Sequence, residues 1–394
     1  MYTKSYDQGL TMEFDEYTLK LPDQPPDNKI INWRLPISQQ KFAYEKLPDF
    51  KTMNAQELEN YSESMWHKRI HGEYQWIKGQ KTYIPGGAWF FFNFWTTNRG
   101  KRPDFRLEAL EFFWFWYLYV EETPSVIGCL IIKCRRIGDS EKVLCVMYER
   151  TTRYFNYPGG MQSYTDEEAK AAFLRIVRAH KKMPFFFKPK TSGTLSEEMK
   201  FHRPSEVVTV KKLKESRGEV IESSDGEFLD SSISYRATVN LAYDGQILGH
   251  FTLDECLKIP FYKLNVRSQW DNIRRVLTLN NGMTAYGKAL LLSTVEEKNE
   301  NDPDNSTVEM AEQLWDDSDP NNLDGNGQTK SGLVRIFRGF EKNAQIDEFG
   351  FPKIEEARRH RQNRIDSLLR DKNYTELLSL YRKEPETVQE AFSK

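Results

Sequence analysis

The hydrophobic pattern changes its period several times along this chain, and each change marks an element. From residue 125 an apolar run, "SVIGCLIIK", gives way to "CRRIGD" and then to "SEKVLCVMYERTTR". The first has the length of a buried strand, the second is a turn, and the third has helical spacing. Two further apolar runs follow: "HFTL" at 250–253, ending in Asp254 and Glu255, and "KALLLSTVEE" at 288–297. Buried strands separated by long helical segments predict an α/β fold with a mostly parallel central sheet flanked by helices.

The flanking regions are less regular. Residues 1–50 are dotted with proline ("LPDQPPDNK", "WRLPIS") and read as an irregular arm over a neighbouring surface. "AQELENYSESMWHKRIHG" has helical spacing and ends at a glycine. "EYQWIKGQKTYIPGG" and "AWFFFNFWTTNRG" read as short aromatic strands with turns between them, and "RLEALEFFWFWYLYVEE" as a helix apolar nearly all round and therefore buried. Segment 191–233 is charged and turn-rich, an inserted hairpin or loop; 297–331 is an acidic surface excursion; 353–394 is helical. The pattern divides the chain into an arm and aromatic-rich region over 1–124, a core over 125–332, and a helical lid and linker over 333–394.

Composition narrows the function classes. Of the 394 residues, 56 are Lys or Arg and 58 are Asp or Glu, so the net charge of −2 excludes a wholly basic nucleic-acid coat. Any contact with DNA must come from a local patch. "RIVRAHKKMPFFFKPK" at 175–190 is one such patch, and a solvated helix face followed by a buried strand explains it equally well. The cysteines, Cys129, Cys134, Cys145 and Cys256, form no CxxC pair and sit in apolar stretches, which predicts buried free thiols rather than a zinc site. The N-terminus is polar and charged, without the form of a signal peptide, and "ALEFFWFWYLYVEE" is too short to span a membrane. A soluble, intracellular protein is expected.

The chemistry lies at the ends of the three apolar runs. "KCRRIGDS" set against the phosphate-loop pattern GxxxxGK(S/T) puts Gly138 at the second glycine and Ser140 at the metal-binding hydroxyl. Lys133 stands where the first glycine belongs, and Asp139 where the lysine belongs. Such a site needs N–H groups facing the phosphates, a helix starting there, a hydroxyl for Mg²⁺ and a fixed cation. The backbone of Lys133, Cys134, Arg135, Arg136, Ile137, Gly138, Asp139, Ser140 and Glu141 supplies the ATP-binding loop. Lys133, Arg135 or Arg136 supplies the cation. By itself this stretch is equally an ordinary strand–turn–helix with surface arginines. "GHFTLDE" adds an apolar strand ending in two acids: Asp254 to hold Mg²⁺ and Glu255 to orient and deprotonate the attacking water. The acid strand is expected beside the loop strand. The tip of "LLLST" would place Ser293 and Thr294 near the γ-phosphate.

These residues resemble the large terminase subunits of tailed bacteriophages, motors that pump DNA into empty heads. Some members carry a loop whose basic residue has moved to its start, as "KCRRIGDSEK" does. The likeness also covers "GGAWFFFNFW", "RPDFRLEALEFF", "SSISYRATVNLAYDGQILGHFTLDE", "LLLSTVEE", "LWDDSDPNNLDGNGQTKSGLVRIF" and "EPETVQEAF", in that order. The resemblance implies a P-loop ATPase fold of the ASCE type that uses ATP and Mg²⁺, with Ser293 and Thr294 as its coupling motif. Arg136 fits the family's basic position as a catalytic cation. Arg335 and Arg338 follow the coupling strand and are candidate arginine fingers toward a neighbouring subunit, with an ordinary surface or ion-pair arginine the favoured alternative for each. Tyr83, Phe105 and Arg106 are adenine-pocket candidates by position, with core packing the alternative for both aromatics. The implied partners are double-stranded DNA, a portal protein, a small terminase subunit and further copies in a ring, all in the host cell cytoplasm.

The sequence departs from the family pattern in two places. Asp139 in the cationic slot must either point away from the phosphates or hold Mg²⁺ through water. On the moved-lysine reading Asp139→Ala does little harm, Asp139→Lys tightens ATP binding, and Lys142 is solvated. Second, "EPETVQEAF" resembles the junction before a nuclease and is followed by two residues, so this chain is expected to be the motor half without nuclease activity. A non-hydrolysing structural or regulatory relative, silenced by Asp139, and another DNA-remodelling ATPase of the same fold remain as alternatives.

Overall fold

The computed structural model describes residues 2–5, 9–192, 195–202, 228–239, 241–259, 264–279, 284–295 and 306–393. The N-terminal arm is more regular than its prolines suggest. Strands β1 (Tyr2–Ser5), β2 (Gly9–Phe14) and β3 (Tyr17–Leu21) form an antiparallel sheet, and only the stretch after them runs irregularly through three short 3₁₀ turns. Alternation in β3 buries Tyr17, Leu19 and Leu21. The local pattern was legible there, but the prolines that follow at 22, 25 and 26 obscured it.

Helix α1 (Ala55–His71) starts where expected because Asn54 and Glu57 cap each other: each side chain accepts the other's backbone N–H, at 2.9 Å. Of the short strands expected here, β4 (Glu73–Ile77) and β5 (Gln80–Ile84) pair as a hairpin, turning at Lys78 and Gly79, both at positive φ. The next aromatic run is not a strand. It forms helix α2 (Gly86–Phe94), started at Pro85 and buried on every side. A run that is apolar all round shows neither period, so its pattern does not separate a strand from a buried helix. Gly87 has no side chain because the Tyr117 ring occupies the space, 2.0 Å from where a Cβ would stand. Helix α3 (Leu107–Phe115) continues as a π-turn through Trp116–Val120 and is buried as predicted.

The central sheet collects β6 (Gly128–Lys133), β7 (Gly159–Ser163), β8 (Lys190–Ser192), β9 (Glu198–His202), β10 (Phe228–Tyr235), β11 (His250–Asp254), β14 (Lys288–Ser293) and β15 (Leu333–Arg338). Strands β12 (Thr278–Leu279) and β13 (Thr284–Ala285) make a separate ribbon. The order across the sheet is β15-β6-β14-β11-β7-β10-β9-β8. The first six are parallel; β9 and β8 add an antiparallel edge. Strands β9 and β10 bracket the inserted segment expected at 191–233, whose residues 203–227 lie outside the described ones. The acid strand β11 does not lie beside the loop strand β6, as expected; β14 lies between them.

Period-2 alternation sends successive residues of each central strand into different cores. Cys129 and Ile131 of β6 face one apolar cluster, Leu130 and Ile132 the other; Leu290 and Leu292 of β14 oppose Ala289 and Leu291 in the same way. Helices α4 (Asp139–Thr151) and α5 (Asp166–Lys182) contribute to the first cluster with α2 and α3. Helices α6 (Val266–Val276) and α7 (Ser306–Asp316) cover the second. Part of the acidic excursion is thus a packed helix with Met310, Ala311 and Leu314 buried; residues 296–305 lie outside the described ones. The tail forms α8 (Glu341–Ala344), α9 (Ile354–Arg370), α10 (Tyr374–Lys383) and α11 (Val388–Ala391). The outer edge of β15 is blunted by Tyr17, whose hydroxyl donates to the Arg335 carbonyl (2.7 Å) and accepts from the Arg335 N–H (3.1 Å).

Candidate active site

The register of the parallel strands brings the expected chemistry to one level at their C-terminal ends. Arg338 pairs with Lys133, Ser293 with Ile132, and Asp254 with Leu292 and with Ser163. Ligands of open α/β sheets bind in the crevice beyond such strand ends.

At β6 the chain leaves Lys133 into a loop anchored at its first two residues. The Cys134 N–H donates to Arg338 O (2.9 Å) and the Arg135 N–H to Lys383 O (3.0 Å). Arg136 (φ +63°) and Gly138 (φ +87°) both take left-handed backbone, and α4 begins at Asp139. Nothing stands within 4 Å of a Cβ at Gly138, so its backbone angle, not crowding, calls for glycine. Among the described residues, the N–H groups of Arg136, Ile137, Gly138, Asp139 and Ser140 make no backbone hydrogen bond. That leaves a row of donors at a helix start, suited to phosphate oxygens. Cys134 and Ile137 turn their side chains inward onto Phe340 and Ala357, so they can offer a ligand only backbone.

Asp139 points away from this concavity. It is fully buried, 2.7 Å from Lys142 Nζ and 3.3 Å from Arg338 Nε. Both cations also hold Glu108 of α3: Lys142 at 2.6 Å, and Arg338 through the carboxylate and the Glu108 carbonyl. Burial pushes the Asp139 carboxyl up, but Arg338 and Lys142 outweigh it and hold the group below the ordinary carboxylate value. Two acids and two bases thus form a closed, buried quartet under the loop. Lys142, expected to be solvated, is 2% exposed because Asp139 stands one helical turn before it and Glu108 faces it. Arg338, a candidate finger, is the ion-pair arginine of the alternative reading, spent inside the molecule. Arg335 lies mid-strand, opposite Leu130, paired with Asp319 (2.9 Å) and stacked on Trp315. It too is turned to its own chain's acids.

The acid pair sits across β14 from Lys133. Glu255 takes left-handed backbone (φ +55°) directly after β11. Its Oε1 accepts from Lys133 Nζ (2.9 Å); its Oε2 accepts from the Thr294 hydroxyl (3.2 Å) and N–H (3.3 Å) and lies 3.3 Å from Lys258 Nζ. Burial raises the Glu255 pKa, yet Lys133 and Lys258 more than reverse it, so the carboxylate is held ionised. Burial by itself depresses the Lys133 pKa, and Glu255, Asp254 and Asp139 together lift it above the usual lysine value. Ser293 is buried: its hydroxyl donates to Thr294 O (2.7 Å) and accepts the Leu257 N–H (3.1 Å), tying the coupling strand to the turn after the acids.

Burial raises the Asp254 pKa, with Glu255 adding to the shift. The Ser140 hydroxyl acts on Asp254 to lower its pKa, and Asp254 Oδ1 is buried without a hydrogen-bond partner among the described residues. An orphaned carboxylate oxygen beside a loop serine fits Mg²⁺, which is held by one or two protein ligands together with substrate phosphates. Among the described residues no cluster of three or more His, Cys, Asp or Glu offers an all-protein metal cage.

The remaining expected residues scatter. Glu141 accepts from Trp95 Nε1 (2.9 Å) and the Asn98 N–H (3.0 Å), fixing the 95–98 turn rather than facing the loop. Tyr83 is a core residue whose hydroxyl donates to His71 O (2.7 Å). Phe105 stacks on Phe42 at 4.9 Å. Neither reaches the loop, so the adenine candidates are corrected to packing residues, with one exception. Arg106 bonds Asn343, whose amide donates to Arg136 O (3.3 Å). Sequence reasoning missed Glu108, Lys142 and Lys258. The signals existed: an acid inside an apolar helix needs a buried partner, and both lysines stand three residues after a site acid.

No protein-family model matches this sequence, and no curated protein matches it. Solved structures do. The ATPase domain of the Thermus phage P74-26 large terminase matches with a TM-score of 0.41 at 14% identity, covering 74% of this chain and 97% of that one. The HK97 bacteriophage large terminase matches with a TM-score of 0.43 at 12% identity, over 71% of this chain and 51% of that one. The large terminase of a thermophilic bacteriophage in complex with ADP matches with a TM-score of 0.32 at 12% identity, over 66% and 50%. Likenesses this shallow assign no role to any residue here.

Proposed function

We propose that this chain is an ATPase: the motor part of a large terminase that hydrolyses ATP to ADP and phosphate to drive double-stranded DNA into a procapsid. The observation that carries the ATPase reading is Glu255, held ionised at a strand tip between Lys133 and Thr294, beside the orphaned oxygen of Asp254. The DNA-packaging role rests on the order of sequence blocks that resemble that family. On the same ground the partners are double-stranded DNA, a portal protein, a small terminase subunit and further copies in a ring, in the host cytoplasm. Among the described residues no helix is long and apolar enough to cross a membrane.

In this reading the free N–H groups from Arg136 to Ser140 receive the phosphates. Lys133 exchanges Glu255 for the triphosphate, whose several negative charges outcompete a single carboxylate. Glu255, released from the ammonium but still bonded to Thr294, takes the proton of the attacking water. Mg²⁺ would be held by Asp254 and Ser140 and would supply charge neutralisation on the phosphates. The quartet favours this over a silenced relative, because Asp139 faces the core and leaves the phosphate side of the loop unopposed.

Thr294 then positions the base. Thr294→Val should lower kcat about tenfold, the worth of one charge-assisted hydrogen bond, with KM for ATP nearly unchanged. Thr294→Ser should recover most of it. Steady-state phosphate release checks both; a KM effect without a kcat effect would place Thr294 in binding instead.

A further inference from the structure

The outer edge of the sheet is closed along most of β15 and open at its end. The even-numbered residues from Gly332 to Arg338 turn their main chain toward β6: Gly332 O accepts the Ile127 N–H (2.8 Å) and Arg338 O the Cys134 N–H (2.9 Å). The odd-numbered residues therefore face outward. Hydroxyls close the first two: Leu333 is bonded by Ser331 and Thr329, and Arg335 by Tyr17. The N–H and C=O of Phe337, the next outward residue, make no hydrogen bond among the described residues.

A cavity of about 730 Å³ opens on this stretch of edge, and none of its lining belongs to the phosphate loop or the acid pair. We propose that it docks a short, extended, basic segment of a partner protein. The segment adds to the edge at Phe337 and sets a Lys or Arg side chain among the acids of the cavity.

The lining gives the chemistry of the occupant. Asp15, Glu16, Glu312, Asp316 and Glu341 share the wall with two cations, and each cation has its nearest acid outside it. Arg335 is 2.9 Å from Asp319 and reaches Glu16 and Asp316 only at 3.8 Å; Lys342 is 2.9 Å from Glu111. Glu341 is 9% exposed, and its Oε2 is buried with no hydrogen-bond partner among the described residues. This carboxylate takes the space that a Cβ at Gly339 would need, so the orphaned oxygen lies against the edge chain two residues after Phe337. Burial raises the Glu341 pKa, although its own backbone N–H and Lys342 oppose the shift. An incoming cation satisfies such a group. The acids repel nucleic acid, and among the described residues no group of three or more His, Cys, Asp or Glu could share a metal ion. A peptide Lys or Arg suits the wall as a whole. Its main chain can bond the open edge while its apolar stem lies on Trp315, Phe337 and Phe392.

Calorimetric titration with three short synthetic peptides tests the site: one of alternating Lys and Val, one with Glu in place of Lys, and the first N-methylated at every residue. The wild type should bind the Lys peptide at least about tenfold more tightly than either of the others, since it alone offers both charge and main-chain donors. Glu341→Gln keeps the size of the side chain and should weaken the Lys peptide about tenfold. Asp316→Lys, at a rim position whose side chain is 80% exposed, should weaken it in the same sense without touching the core. Equal binding of the Lys peptide and its N-methylated form would leave only surface charge and overturn the strand docking. So would no binding of the Lys peptide, or wild-type affinity in both variants. Self-association of the protein in sedimentation, abolished by the Lys peptide, would give the edge to a second copy of this chain and overturn the separate partner.

Discussion

Glu255→Gln lowers the rate of ATP hydrolysis by at least about 10²-fold while ATP still binds, the scale expected for loss of a general base. Gln keeps the size of Glu and can still accept from Thr294, so the tip of β11 keeps its shape. What is lost is the negative charge that draws Lys133 and Lys258 inward at 2.9 and 3.3 Å. Lys133 becomes free for the triphosphate, and ATP affinity should hold or rise. Single-turnover hydrolysis and equilibrium titration of the same preparation measure the two effects separately. Turnover at the wild-type rate would remove Glu255 from the chemistry; loss of ATP binding with loss of hydrolysis would make it a binding residue.

The second large effect is on stability rather than on chemistry. Asp139→Ala should destabilise the fold by about 3–5 kcal/mol, the range for breaking a buried ion pair. One carboxylate, Glu108, would then face two buried cations, Lys142 and Arg338, which are 2% and 1% exposed. Asp139→Lys adds a third cation to the same space and should be worse still. This reverses the expectation from sequence, in which the first change was harmless and the second tightened ATP. Arg338→Met combined with Asp139→Asn restores the balance of one acid to one base. The double variant should therefore be more stable than the sum of the two single losses predicts. Denaturant unfolding of the four proteins gives the coupling. An Asp139→Ala protein with the wild-type midpoint but no Mg²⁺-dependent ATP binding would instead make Asp139 a metal partner.

The parts of the site legible in sequence were those set by local pattern. "GCLIIK" could only be a buried strand, Gly138 with Ser140 marked a loop entering a helix, and the acids after "HFTL" marked a strand tip. The lateral order of parallel strands is not written in any one strand, so β14 between β6 and β11 came as a correction. β7, "GGMQS", carried almost no apolar signal. Its glycines are required instead by side chains of other elements: Thr151 and Met147 of α4 press on Gly159, Tyr243 and Leu248 on Gly160. The quartet was hidden for the same reason. Arg338 and Glu108 meet across 230 residues of chain, and nothing near Asp139 except the spacing to Lys142 hinted that its charge was already satisfied. Position in a family pattern served less well than local chemistry: of the three adenine candidates, only Arg106 connects to the loop.

The central claim is that these strand tips form one ATP site. A structure of the protein with Mg²⁺ and a non-hydrolysable ATP analogue tests it most directly. The account predicts phosphates on the N–H groups of residues 136–140, the metal on Ser140 and Asp254, Lys133 moved from Glu255 to the phosphates, and Asp139 still inside its quartet. An analogue bound elsewhere, or phosphates on the loop with Lys133 still paired to Glu255 and Asp139 turned out to the metal, would contradict it.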